Sequence, residues 1–297
     1  MNGPYALGVG GGARGPVDPA DLGALGGGGG STAGSPSGRA SYASKTPRAP
    51  RRRAISVWSW PRRTPGTAKN SARDPRSAGR FLLPGPLAAT HLAAGGVPGA
   101  ADGETVVAAV DGELVEWLDA ADPVRGDATG AVPLRSVDPL TPLHRVPAPV
   151  PRGAGPVPRA PDPVAVLLTA AEQLGTAGRV CEPAVQHART REQFGRPIGA
   201  FQAVRHLCAD LLVRAETARA AVYAAAVTAD PADVAAARLL ADEAAVRGAR
   251  DCLQVHGGMG FTWEADVHLH LKRAWVRARR AGGDAWCEGR LAAAPTD

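Results

Sequence analysis

The stretch best suited to chemistry is a basic, amide-containing turn between two helical patterns. Residues 189–210, RTREQFGRPIGAFQAVRHLCAD, end one helical pattern, reverse through a segment containing glycine and proline, and begin another helix. Within four residues the turn offers a permanent cation, an amide and an aromatic ring, from Arg191, Gln193 and Phe194. A guanidinium pairs with phosphate oxygens through two parallel hydrogen bonds, and an aromatic ring stacks on a planar base. The turn therefore suits a ligand that joins phosphate to adenine.

A second candidate stretch, residues 251–272, carries a glutamine followed by a pair of glycines. Its sequence, DCLQVHGGMGFTWEADVHLHLK, places Gln254 just before Gly257 and Gly258. Glycines let the main chain come close to a phosphate, and the glutamine adds hydrogen-bond donors and an acceptor. Each stretch alone also fits a purely structural role, because glycines end helices and cations at helix ends are commonly solvated.

The order of residues in the two stretches resembles the C-terminal domain of the FAD-dependent acyl-CoA dehydrogenases. The pattern R-x-Q-F-G-x-P-I-x-x-F-Q precedes a long apolar helix, and Q-x-x-G-G returns at a spacing that suits the same domain. The resemblance covers residues 163–275 closely and residues 79–147 loosely. It implies cofactor contacts for Arg191, Gln193, Phe194, Gln202, Gln254, Gly257 and Gly258.

The resemblance assigns each of these residues to a part of FAD. Arg191 is expected to reach the pyrophosphate, with Gln193 and Phe194 on the adenosine side. Gln202 begins the next helix near the cofactor. The main chain of the Q-x-x-G-G stretch is expected to lie against the ADP end of FAD across a dimer.

The reaction implied by the resemblance is the α,β-dehydrogenation of an acyl-CoA thioester. In this family a flavin accepts a hydride from the β-carbon while a carboxylate removes the α-proton. The implied partners are an acyl-CoA substrate, an electron-accepting protein and further subunits of a homo- or hetero-oligomer. An alternative stays open, in which a non-catalytic partner subunit lends Arg191 and Gln254 to a flavin held by a complete homologous chain.

The general base does not follow from the motifs. Many relatives carry an E-G-T motif where this chain has Arg279–Gly283, and another branch places its base where this chain has Ala165. The dipeptide Glu288-Gly289 stands too far along the chain. Glu172 is the remaining candidate, because apolar neighbours on its helix would bury the carboxyl and raise its pKa. A partly solvated helix carboxylate is the open alternative.

Four long helical patterns must position these residues. The first is capped by Asp162 with Pro163 at its first position, and Asp230-Pro231 repeats the signal for the third. The patterns run from 163 to about 190, from Phe201 through an apolar stripe, from 231 to Gly257-Gly258, and from about 263 to 280. Short connections between long helices predict an antiparallel four-helix bundle, and the chain is expected to be mainly α.

The predicted domains are four in number. Residues 1–78 form a low-complexity, disordered segment, 79–147 a remnant of helical and β domains, 148–162 a proline-rich linker and 163–297 the bundle. Within the remnant, residues 80–94 predict a turn followed by a short helix. Asp111-Gly112 predicts a β-hairpin, so a fragmentary β segment is expected there.

Charge and glycine concentrate at the front of the chain. Residues 1–38 hold fourteen of the 37 glycines, and residues 39–80 carry twelve Lys or Arg against one acid, whereas the whole chain has a net charge of only +6. A nucleic-acid-binding arm using Trp58 and Trp60 stays open as a third hypothesis, although we predict no nucleic-acid partner.

Cysteine usage and hydropathy suggest a cytoplasmic protein. The four cysteines stand singly without C-x-x-C pairs, which predicts reduced thiols. No apolar run of 18 residues occurs, and no secretory signal pattern is visible, so no membrane span is expected. The histidines form no chelating i, i+4 pair, so we predict no metal site and place them at the surface or half-buried.

Overall fold

The computed structural model of the protein describes residues 75–147 and 160–294. The disorder predicted for residues 1–74 and most of the predicted linker lie outside the described residues. The described chain begins with two short helices, α1 (Pro75–Arg80) and α2 (Leu87–Ala93), joined by the predicted turn. Residues 75–78, expected to be disordered, are helical, because Ala78 and Gly79 are buried where α1 packs against the bundle.

A small five-stranded sheet follows, in the order β3-β1-β2-β5-β4. Its strands are β1 (Ala108–Asp111), β2 (Leu114–Glu116), β3 (Val124–Arg125), β4 (Val132–Leu134) and β5 (Leu143–Arg145). The predicted hairpin is confirmed, since β1 and β2 are antiparallel and Asp111 pairs with Leu114. The connecting residues are Gly112 and Glu113, and Gly112 takes the positive φ of 61° that such a turn needs.

The predicted bundle is confirmed as four helices in the described residues from 163 to 277. They are α3 (Pro163–Thr190), α4 (Gln202–Thr228), α5 (Pro231–His256) and α6 (Val267–Arg277). The first cap works as predicted, because the Asp162 side chain accepts from the Val164 N–H at 2.9 Å. The Asp230 carboxylate likewise accepts from the N–H groups of Ala232 and Asp233.

Side-chain contacts give the directions of the helices. His187 stacks on His256 near one end, and Gln173 hydrogen-bonds Asp242 a few turns earlier, so α3 and α5 run in the same direction. The connection of α3 to α4 passes through a short 3-10 turn at Ile198–Ala200, where Gly199 lies against the Ala188 carbonyl. α4 therefore runs antiparallel to α3.

The last part of the chain differs from its prediction. The fourth helix begins at Val267 rather than at about 263, because residues 262–266 form turns and loop. It ends at Arg277 rather than at about 280, because residues 278–280 already turn away before the positive φ angles of residues 281–283. A further helix, α7 (Gly283–Ala292), follows and was not expected. It covers the far end of the bundle, where Cys287 and Trp286 pack on the core of α3, α4 and α5.

Alanine dominates the bundle core. The helices bury small side chains against one another, including Ala170, Ala218, Ala235 and Ala245, and such residues permit close approach of helix axes. Within residues 75–147 and 160–294, no helix combines the length and apolar composition needed to cross a membrane.

Candidate functional site

The turn after α3 is built by backbone hydrogen bonds. The Arg191 N–H closes the helix by donating to the His187 carbonyl at 2.8 Å, and the Arg191 carbonyl accepts from the Ile198 N–H at 2.7 Å. Between these bonds, β6 (Glu192–Gln193) pairs with β7 (Arg196–Pro197) in a two-stranded hairpin. Phe194 and Gly195 at its tip both have positive φ, of 55° and 75°.

Side chains of this turn face solvent rather than the core. Arg191, Gln193 and Gln202 are exposed, and Phe194 is 91% exposed in a left-handed backbone conformation that costs a non-glycine residue about 1 kcal/mol or more. Phe194 meets Phe201 edge to face, with ring centroids 6.0 Å apart. Among the described residues, Arg191 makes no ion pair. An uncommitted cation beside an exposed ring is what a phosphate-and-base ligand requires.

The turn after α5 leaves its backbone accessible. Gly257 takes a φ of 61°, and a Cβ added at Gly257 or Gly258 would meet nothing within 4 Å. Gly260 differs, because there a Cβ would lie 2.8 Å from the Leu253 carbonyl oxygen. Gly260 is therefore required for packing, whereas Gly257 and Gly258 border open space that a ligand can enter.

The structure brings the two turns to the same end of the bundle. The rings of His187 in the last turn of α3 and His256 at the end of α5 stack with centroids 4.4 Å apart and an angle of 19° between their planes. Arg191 follows His187 by one helical turn, and Gln254 and Gly257 flank His256. The seven predicted cofactor residues thus share one end of the fold, and their individual roles stay predictions.

Glu172 lies elsewhere, in the middle of α3. It precedes Arg191 by enough turns to place it roughly 28 Å away along the helix axis. Its carboxylate is buried and pairs with the Arg277 Nε at 3.0 Å, so the alternative of a solvated helix carboxylate is wrong. Burial raises the pKa of Glu172, as predicted, and the charge of Arg277 opposes that rise. Its role as general base stays a prediction.

Sequence reasoning missed a row of three arginines, two of them on α6 and the third just after its end. Arg273, Arg277 and Arg280 recur at helical spacing, and each pairs with a carboxylate outside α6. Arg273 pairs with buried Asp138, and Arg280 pairs with Asp111 at 2.8 Å and with Glu116. The i, i+4, i+7 spacing was the available signal. These pairs join the sheet segment to the bundle.

The prediction that the histidines lie at the surface or half-buried is wrong at three positions, because His144 in β5 is buried as well as two histidines on α6. His268 and His270 are buried, because α6 lies between the rest of the bundle and the loop of residues 257–266. Burial, together with the charges of nearby arginines, lowers the pKa of His270 to about 4. In the described part of the chain, no three His, Cys, Asp or Glu side chains are grouped as a metal would need.

An aromatic groove, also missed, lies beside the α5 turn. Its volume is about 230 Å³, and its lining residues are Leu253, Phe261, Trp263, His268, Leu271, Lys272 and Trp275. Trp263 is 73% exposed, and the Lys272 ammonium lies over its ring, 4.6 Å from the ring centroid. A large exposed aromatic surface of this kind is typical of a binding face.

The protein is mainly helical, with an antiparallel four-helix bundle whose turns after α3 and α5 meet at one end. Comparison with known families is specific: residues 165–285 match the sequence model of the acyl-CoA dehydrogenase C-terminal domain. Over these residues the chain is therefore similar to the C-terminal domain of the acyl-CoA dehydrogenases.

Individual relatives agree with that assignment. The chain is 40% identical over 171 residues to the acyl-CoA dehydrogenase IpdE2 of Mycobacterium tuberculosis, covering 58% of this chain and 51% of the relative. It is 40% identical over 190 residues to the acyl-CoA dehydrogenase FadE34 of the same organism, covering 61% of this chain and 26% of the relative. The chain therefore spans about half or less of the length of these curated relatives.

Solved structures share the fold. The ChsE4–ChsE5 complex from Mycobacterium tuberculosis matches with a TM-score of 0.59 and 25% identity, over 76% of this chain and 81% of that chain. The Tcur3481–Tcur3483 steroid ACAD G363A variant matches with a TM-score of 0.62 and 23% identity, over 75% of this chain and 80% of that chain.

Proposed function

We propose that the protein is an FAD-dependent oxidoreductase that dehydrogenates an acyl-CoA thioester between its α- and β-carbons. The observation that carries this proposal is the meeting of the Arg191 turn and the Gln254–Gly258 turn at one end of the bundle. The match of residues 165–285 to the acyl-CoA dehydrogenase C-terminal domain supports it. Location in the cytoplasm and the identity of the electron-accepting protein stay predictions from the sequence.

The residues at this end fit FAD. Arg191 would supply two parallel donors to the pyrophosphate, Phe194 and Gln193 would border the adenosine, and Gln202 at the start of α4 would lie near them. The accessible backbone of Gly257 and Gly258 admits the ADP portion without side-chain obstruction. When bound, FAD supplies the acceptor for the hydride that leaves the β-carbon.

Proton removal from the α-carbon needs a carboxylate of the chain. Glu172 is our candidate, because its raised pKa would suit a base, but its pairing with Arg277 also fits a structural role. The two roles separate in Glu172→Gln. If Glu172 is the base, the variant should keep FAD, but its flavin should no longer lose its colour when acyl-CoA is added. A structural role predicts continued bleaching with a lowered melting temperature.

The activity test is anaerobic titration of the purified protein with acyl-CoA thioesters of several chain lengths. We expect the visible flavin absorbance to fall in proportion to the substrate added. If FAD stays bound and its visible absorbance does not fall with any thioester, the dehydrogenase function is rejected and only flavin binding remains.

A second candidate function is the non-catalytic partner subunit. The exposed aromatic groove around Trp263 favours it, because such a surface is expected to be covered in an assembly. The structurally similar ChsE4–ChsE5 complex is itself an assembly of two different proteins. This candidate predicts a colourless chain that gains flavin only after mixing with a complete homologous dehydrogenase.

A further inference from the structure

The stacked histidine pair joins the two turns of the candidate cofactor site. His187 and His256 are both half-buried, so each ring contacts the other and also approaches solvent at the end of the bundle. The pair lies between Arg191, which closes α3, and Gly257, which closes α5. Any anion bound across the two turns is therefore close to these rings.

Hydrogen bonding fixes one ring and leaves nitrogen atoms free to take a proton. The Nδ1 atom of His256 lies 2.8 Å from the Cys252 carbonyl oxygen, which can only accept, so this nitrogen carries the hydrogen. The Nε2 atom of His256 is then the site for a second proton. Neither ring pairs with a carboxylate among the described residues.

The surroundings of His187 favour its neutral form while no anion is present. Burial lowers the pKa of His187, and His256 and the positive charge of Arg191 lower it further. The titratable and charged groups that face the pair are Arg191 from the end of α3 and Cys252 from α5. The neighbouring core contributed by the loop, α4 and α6 is formed by Ile198, Val204, Leu207, Cys208, Val267 and Leu271.

We propose that His187 and His256 form a second cationic element of the diphosphate site, taking up a proton when FAD binds beside Arg191. This inference rests on the proposed FAD site. A diphosphate supplies the negative charge that the pair lacks, so it offsets the repulsion from Arg191 and favours the protonated ring. Because FAD binding and protonation then favour each other, the affinity for FAD rises as the pH falls from 8 to 6.

The size of the effect follows from linkage. A rise of one unit in the pKa of the pair on binding corresponds to about a tenfold gain in affinity once the pH lies below both values. We therefore expect FAD to bind roughly three- to tenfold more tightly at pH 6 than at pH 8. The diphosphate of FAD is esterified at both ends and keeps its charge over this range, so the group that takes up the proton from solvent must belong to the protein.

The experiment is calorimetric titration of the full chain with FAD at pH 6, 7 and 8, in two buffers of different ionisation enthalpy. Wild type is expected to take up a fraction of a proton near pH 7. His187→Phe keeps an aromatic ring for stacking but cannot carry charge, so its affinity for FAD should change less than twofold between pH 8 and pH 6. His206→Gln, at an exposed position of α4, serves as the matched control and should behave as wild type.

Two results would overturn the inference. The first is equal FAD affinity at pH 6 and pH 8 in wild type, with no buffer-dependent heat, which would leave the FAD site itself intact. The second is a full pH dependence retained in both His187→Phe and His256→Gln, which would place the proton elsewhere. Failure of wild type to bind FAD at every pH would instead reject the FAD site and this inference with it.

Discussion

At the scale of single residues, Arg191 is the cation on which the candidate site depends. It is exposed, follows α3 directly and has no ion-pair partner among the described residues, so its charge is available to a ligand. Arg189 lies two residues earlier in the last turn and is also exposed, but it falls outside the family pattern. Arg189 and Arg191 therefore allow a matched comparison of two exposed cations.

Replacing Arg191 should weaken FAD binding. We expect Arg191→Ala to cost about 1.5–3 kcal/mol, or roughly ten- to a hundredfold in affinity, because a charge-assisted pair is lost. Arg191→Lys should recover only part of this, since an ammonium cannot donate two parallel bonds. Arg189→Ala should change the affinity less than twofold, as measured by fluorescence titration. Equal losses in Arg189→Ala and Arg191→Ala would show that only overall charge matters.

His270 should make the stability of the bundle depend on pH. Its pKa is lowered to about 4 by burial, whereas the unfolded chain titrates near the ordinary value of 6.5. The folded form therefore takes up its proton later than the unfolded form as the pH falls. Stability from this group is complete above about pH 6.5 and is lost between pH 6.5 and pH 4, by up to about 3 kcal/mol.

Urea unfolding at pH 7.5, 6 and 5 would measure this loss. His270→Leu removes the titrating group and should flatten the profile in this range, since the buried His270 Nδ1 has no hydrogen-bond partner to lose. His206→Gln, at an exposed site, should keep the wild-type profile. A steep profile in His270→Leu equal to that of wild type would assign the loss to other groups.

At the scale of elements, the contact between α1 and α3 depends on two glycines. A Cβ at Gly175 would lie 1.9 Å from the Arg76 carbonyl oxygen, and one at Gly79 would lie 1.8 Å from the Glu172 carbonyl oxygen. Gly178, one turn further along α3, has nothing within 4 Å of the same position. α1 therefore lies backbone to backbone on α3 at these glycines.

Alanine substitutions at the two positions on α3 should have opposite effects. Gly175→Ala forces α1 away and should destabilise the protein by about 1–3 kcal/mol or more. Gly178→Ala should stabilise it by about 0.5–1 kcal/mol, because alanine loses less conformational freedom on entering a helix. Melting temperatures of the two variants provide the measurement, and a change of the same sign in both would contradict the close contact.

The row of arginines on α6 and just after its end joins the sheet segment to the bundle through buried pairs. Arg273 and Asp138 are both buried and paired, whereas Arg247 and Glu243 form an exposed pair on α5. Removing one partner of a buried pair leaves an uncompensated charge, and removing one partner of an exposed pair leaves a hydrated one. The two pairs should therefore differ sharply in their contribution.

Arg273→Ala should cost about 3–5 kcal/mol of unfolding free energy, and Arg247→Ala at most about 1 kcal/mol. Chemical denaturation measures both. If Asp138→Asn combined with Arg273→Met restored most of the loss, the cost would be confirmed as that of the orphaned charge. A loss in Arg273→Ala no larger than in Arg247→Ala would contradict the buried pair.

Sequence signals that act between adjacent residues predicted the helix starts well. Features that depend on contacts between distant parts of the chain could not be predicted. Asp162 and Asp230 with their following prolines act within one turn, so the starts of α3 and α5 could be predicted from adjacent residues. The burial of His268 and His270 depends on which elements cover α6, and no sequence window contains that information. The same holds for α7, whose packing on the bundle depends on helices far away in sequence.

The candidate site also combines features that the sequence predicted with features that depend on how distant helices pack. The family pattern placed Arg191 and Gln254 in one site, and their common position at the bundle end agrees with it. The stacked histidines were not foreseen, because the register of α3 against α5 that brings His187 beside His256 depends on how the two helices pack. Glu172 could be assigned to a buried environment from its apolar neighbours, but its partner Arg277 lies on another helix.

At the scale of the whole molecule, the chain combines a complete bundle with a short front part. It matches the family model over residues 165–285 and covers 51% of IpdE2, while the described front part holds two short helices and a five-stranded sheet. The central claim is that this chain itself holds FAD, using the turns after α3 and α5. The partner-subunit candidate denies that claim.

The most direct measurement is the amount of FAD released by heat or acid from the purified full chain, compared with an Arg191→Ala, Gln254→Ala variant of equal helix content. We predict close to one FAD per wild-type chain after incubation with excess cofactor and gel filtration, and far less in the variant. A wild-type chain that remains folded but retains no more FAD than the variant would contradict the claim that its own bundle forms the flavin site.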